Sequence, residues 1–91
     1  MARAPTKVSL QKTLKEGLRR CVYRRWEATV KGTVLITKTT DLERMYRGNT
    51  PYPIGQAKMI RRTYLSRAVA EAGFHKAKLR RLTTGYRSCV G

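Results

Sequence analysis

Apolar residues recur along the first third of the chain at steps of three and four. Leu10, Leu14, Leu18, Cys21, Val22 and Trp26 fall on one face of a helix, which predicts an amphipathic helix from about Leu10 to about Thr29, with Ser9 as its N-cap. Lys12, Lys15, Arg19, Tyr23 and Arg24 occupy the rest of its surface, flanked by Arg20 and Arg25. Gly17 weakens this helix by about 1 kcal/mol relative to Ala. Lys31-Gly32 ends it, and Thr33–Thr37 is a short β-prone run that reads as an extended connector, or as a strand completed by a neighbouring protein. Thr40-Asp41-Leu42-Glu43 matches a capping box and predicts a short helix to about Arg47. Gly48 to Pro53, with two prolines in three residues, forms a kinked connector.

A second stripe follows. Ala57, Ile60, Tyr64, Ala68 and Ala72, widened by Leu65 and Val69, predict another long helix, with Gly73 as its C-terminal stop. Residues 74–82 read as a third helical piece, with Phe74, Leu79 and Leu82 toward the core. The expected fold is therefore mainly α: an extended basic arm (1–8), a small helical domain with two long amphipathic helices (9–82), and a tail (83–91).

Charge changes the picture more than composition does. The chain of 91 residues carries 21 Lys and Arg against 5 Asp and Glu, a formal net charge of +16. Residues 1–38 and 57–91 each contribute +8, and the stretch between is neutral. Such a chain repels itself when compact and calls for an anionic partner. Arginine outnumbers lysine, and a guanidinium fork pairs with phosphate bidentately and stacks on bases. A merely solvated surface would mix both signs. The residues expected to hold nucleic acid are Arg3 and Lys7 in the arm; Lys12, Lys15, Arg19, Arg20, Arg24 and Arg25 on the first helix; Lys58, Arg61 and Arg62 on the second; and Lys76, Lys78, Arg80, Arg81, Tyr86 and Arg87 toward the C-terminus. Tyr86 is the candidate for stacking on an unpaired base, whereas Trp26 and Tyr64 fit the core stripes.

Catalysis has little to draw on. Five scattered carboxylates and one histidine make no acid–base pair, and no glycine-rich phosphate loop is present. Cys21 and Cys89 with His75 fall short of the four ligands of a structural zinc site, so neither metal nor cofactor is expected. Cys21, on the apolar stripe, reads as a small core residue, and a disulfide to Cys89 stays open. No stretch is apolar enough for a membrane-spanning helix.

Val22-Tyr23-Arg24 and Met45-Tyr46-Arg47 each resemble a variant of the Leu-Tyr-Arg signature of the small helical mitochondrial LYR proteins, without its leucine. That resemblance covers a tripeptide, and implies an accessory subunit of a respiratory complex. In size, Arg-rich segments and extended ends the chain looks like small ribosomal proteins. The reading that joins these features is a structural protein of a ribonucleoprotein assembly, bridging structured RNA and neighbouring proteins rather than forming a free-standing homo-oligomer. The Arg-rich, acid-poor N-terminal segment, with a pattern like that of a mitochondrial targeting helix, points to a mitochondrial ribosome, and otherwise to a cytoplasmic ribonucleoprotein. The alternatives are the accessory subunit and a DNA-binding or packaging protein.

Overall fold

The computed structural model describes residues 6–17, 20–45 and 51–88, and the protein is a β-sheet with one helix packed on it. This overturns the mainly helical expectation. The strands are β1 (Thr6–Glu16), β2 (Arg20–Lys31), β3 (Val34–Met45), β4 (Tyr52–Pro53), β5 (Lys58–Thr63) and β6 (Arg87–Ser88), and helix α1 (Arg67–Thr83) lies between β5 and β6 in sequence. All pairings are antiparallel, in the order β4-β3-β2-β1-β6. β5 shares with β4 the outer side of β3: β5 pairs with Val34–Thr39 and β4 with Leu42–Glu43.

The predicted first helix is instead the arms of the β1–β2 hairpin. Leu10 and Trp26 do meet, directly across two strands. Val22, Tyr23, Trp26, Thr29 and Val30 are β-branched or aromatic, the types that fit a pleated surface. Trp26, Ala28 and Val30 alternate onto one buried face with a period of two. Leu14, which the helical pattern needed in its stripe, is exposed beside a register shift between Thr13 and Lys15.

Gly32 ends no helix. It occupies the first position of a two-residue loop, Gly32-Thr33, with φ +58°, the backbone that lets β2 turn directly into β3. Residues 34–37 of the connector and the described part of the capping-box helix, through Met45, are one strand, and β3 finds its partners, β2, β4 and β5, within the chain. Asp41 and Glu43 act across the sheet rather than at a helix start: they pair with Arg24 and Arg20.

The second predicted helix divides in two. Lys58–Thr63 is strand β5, and the chain turns at Tyr64–Ser66 before α1 begins. Ser66 caps α1 by accepting from the Val69 amide at 3.3 Å, and Leu65 is 99% exposed, outside any core stripe. Gly73 lies inside α1; the stop is Gly85, whose φ of +98° turns the Tyr86 amide back onto the Arg81 carbonyl. The third helical piece is thus the body of α1. The expected tail begins inside α1 and continues into β6, and the expected arm becomes β1 from Thr6 onward.

The core cluster among the described residues lies between α1 and the sheet. Leu10, Trp26, Ala28, Val30 and Leu35 meet Ala70, Phe74 and Tyr86, with Val8, Tyr64 and Ala77 at the margin. Trp26 and Tyr64 keep the packing roles that their sequence positions suggested. The segment Val22-Tyr23-Arg24 is strand, not helix, so the fold implied by the LYR resemblance is absent there; Tyr46 and Arg47 lie outside the described residues. The mitochondrial setting, which drew on an N-terminal helix, loses that footing. No helix is long and apolar enough to cross a membrane among the described residues.

Candidate nucleic-acid interface

Successive strand residues point to opposite faces, so each pair of adjacent basic residues divides between two environments. One face carries α1. The other is traced by the register rows Lys31–Val34–Thr63, Lys7–Thr29–Ile36–Arg61, Ser9–Glu27–Lys38–Met59 and Arg87–Gln11–Arg25–Thr40. In these rows six cations, Lys7, Arg25, Lys31, Lys38, Arg61 and Arg87, stand against one carboxylate, Glu27. All but Arg25 are exposed. No helix of the described residues packs on this face; at one end Tyr23 and Leu42 pair and are buried.

Arg25 lies in the middle of β2. Its Nε and the Thr40 Oγ1 directly across from it are both shielded from solvent, and neither has a hydrogen-bond partner among the described residues. A shielded guanidinium nitrogen without an acceptor is costly.

The neighbouring cations on the α1 side are already engaged. Arg24 grips Asp41 bidentately, Nε to Oδ1 at 2.8 Å and Nη2 to Oδ2 at 3.2 Å. That hydrogen bond raises the Arg24 pKa and holds the Asp41 carboxyl below its ordinary value. Arg20 reaches Glu43 at 3.3 Å and Arg67 reaches Glu71 at 3.2 Å. Arg81 lies over both Trp26 and Tyr86, with its guanidinium carbon 5.5 and 5.6 Å from the ring centroids, and Lys12 lies 5.8 Å from the Tyr86 centroid. These contacts fix α1 and the C-terminal segment to the sheet.

The expected nucleic-acid set therefore separates. Lys7, Arg25, Arg61 and Arg87 come together on the open face. Lys12, Arg20, Arg24 and Arg81 hold the fold. Lys58, Arg62, Lys76 and Arg80 belong to the opposite side, where β5 meets α1; Lys15 is exposed near the β1–β2 turn and Lys78 is half-buried on α1. Arg3 and Arg19 lie outside the described residues, as does Cys89. Tyr86 is 5% exposed and part of the core, so its ring is not free to stack on a base. Sequence reasoning missed Lys31 and Lys38; the period of two through β2 and β3 was the signal that places them beside Arg25 and Arg61.

Cys21 is half-buried and lies outside the core cluster. His75 is exposed, its ring edge-on to Phe74 at 5.2 Å. No group of three or more His, Cys, Asp or Glu that could hold a metal ion occurs among the described residues. Comparison with protein-family models, curated proteins and solved structures finds no match to this chain.

Proposed function

We propose that the chain is a structural nucleic-acid-binding protein that lays the open face of its sheet along the phosphate backbone of a folded nucleic acid, structured RNA foremost. The observation that carries this reading is the six-to-one excess of cations on that face. Each phosphate neutralised releases condensed counterions, so such a face gains affinity with every basic side chain that reaches a backbone. Base stacking no longer supports a preference for loops, since Tyr86 is buried. Backbone and shape recognition takes its place, which is how proteins bind double-stranded RNA. Thr29 adds a hydroxyl suited to ribose 2′-OH groups. Bound within a ribonucleoprotein, the chain would neutralise phosphate repulsion between RNA segments.

The test is binding of a short RNA duplex, and of a DNA duplex of the same sequence, across a salt series. Affinity for RNA should fall steeply with salt. Arg61→Ala should reduce the slope by about one, while Arg62→Ala, one residue away on the other face, should leave it unchanged. Equal effects of the two substitutions, or no RNA binding at physiological salt, would overturn the reading. Tighter binding of the DNA duplex would replace RNA with DNA.

A further inference from the structure

The side of the sheet opposite the basic face holds a groove of about 540 Å³ between β5 and α1. Trp26, Leu35 and Tyr64 form its floor, Ile60 and Val69 line its walls, and both wall residues are about half exposed, at 52% and 46%. Arg62, Lys76 and Arg80 are among its lining residues, and no acidic residue is. Alongside runs β5, which pairs only with β3 among the described residues and is exposed at every position.

We propose that the free edge of β5 and this groove receive an extended acidic segment of a partner protein, which adds to the sheet as a further strand. A strand edge offers a ladder of backbone N–H and C=O groups, which another peptide can match and a phosphate backbone cannot. An added strand would turn every second side chain toward the groove, where apolar residues fill the floor and acidic ones meet Arg62, Lys76 and Arg80. A second copy of this chain is a poor occupant. It would bring its own Lys58, Arg61 and Arg62 against the same residues, and like charges directly opposite repel. Nucleic acid would leave the apolar walls unmatched. The site lies on the face away from Arg25 and Arg61, so both partners fit one molecule, as a bridging role requires.

The experiment titrates the full chain at physiological salt with a short blocked peptide of repeating Val-Ser-Glu-Ser, which sets Val and Glu in turn on one face of the strand, followed by amide chemical shifts. A second peptide of the same sequence carries N-methyl groups on alternate residues, which keeps its charge and removes one edge of hydrogen bonds. Shifts centred on Lys58–Thr63, with affinity at least about tenfold weaker for the methylated peptide, are the expected result. Ile60→Asn, at an exposed position and without change of charge, should weaken the unmethylated peptide and leave RNA-duplex binding unchanged. Equal affinity for the two peptides would reduce the interaction to charge and overturn the proposal, as would displacement of the peptide from these amides by the RNA duplex.

Discussion

Arg24 and Arg25 are adjacent in sequence and opposite in circumstance. Arg24 is paired with Asp41, whereas Arg25 Nε has no partner among the described residues. The Asp41 carboxyl is held below its ordinary value of 3.8, chiefly by the Arg24 hydrogen bond. A depressed carboxylate contributes stability that is present above its unfolded pKa and lost as pH falls through its folded one. Asp41→Asn should therefore lower stability near neutral pH and converge with the wild type as pH drops below about 4. Both side chains are more than a third exposed, so solvent screening keeps the loss below about 1 kcal/mol. Urea unfolding at neutral pH and at about pH 3 measures both limbs; a deficit that persists in acid would show that Asn disturbs the strand rather than the ion pair. At this scale the sequence was informative about charge and silent about direction. Which of two neighbouring arginines meets Asp41 depends on whether the backbone repeats every 2 residues or every 3.6.

At the scale of elements, the misreading has a physical cause. Spacings of three and four from Leu10 to Trp26 satisfy a helix, but Val22, Thr29 and Val30 favour a strand, and the cross-strand meeting of Leu10 with Trp26 is a tertiary event that no local window contains. Gly32-Thr33 between two alternating runs was the legible hairpin signal, and Ser66 the legible start of α1. Gly73 follows a different logic. A Cβ there would lie 2.7 Å from the Tyr64 hydroxyl and 3.0 Å from the ring carbon that bears it, so the glycine makes room for Tyr64 against α1. Gly73→Ala should consequently forfeit the gain of about 1 kcal/mol that alanine brings to a helix interior, and come out neutral or destabilising. Combined with Tyr64→Leu, the same substitution should become stabilising relative to Tyr64→Leu alone. A double-mutant cycle reads this coupling directly, and additive effects would remove the steric account. Trp26, buried at the centre of the only core cluster among the described residues, should cost about 3–5 kcal/mol as Trp26→Ala, a large share of the about 5–15 kcal/mol typical of a domain. Thermal unfolding would show that loss as a far lower midpoint.

For the whole molecule, a thin core has to hold together a chain of net charge +16 with extents of 47 × 26 × 23 Å. At about 0.01 M salt the screening length is about 30 Å, so charges across most of the molecule repel one another, whereas at about 0.15 M it is about 8 Å and only neighbours do. Added sodium chloride should therefore raise the unfolding midpoint, and each kcal/mol recovered corresponds to about 4–8 °C in a domain of this size. Screening alone depends on ionic strength and not on which anion supplies it. A phosphate series at matched ionic strength separates the two effects: a further rise beyond chloride would mean that anions bind the folded state at defined positions. If that increment shrinks in Arg25→Ala and survives in Arg62→Ala, the positions are on the open face of the sheet. An increment indifferent to both substitutions would leave the charge excess diffuse and take away the special standing of the Arg25–Thr40 row.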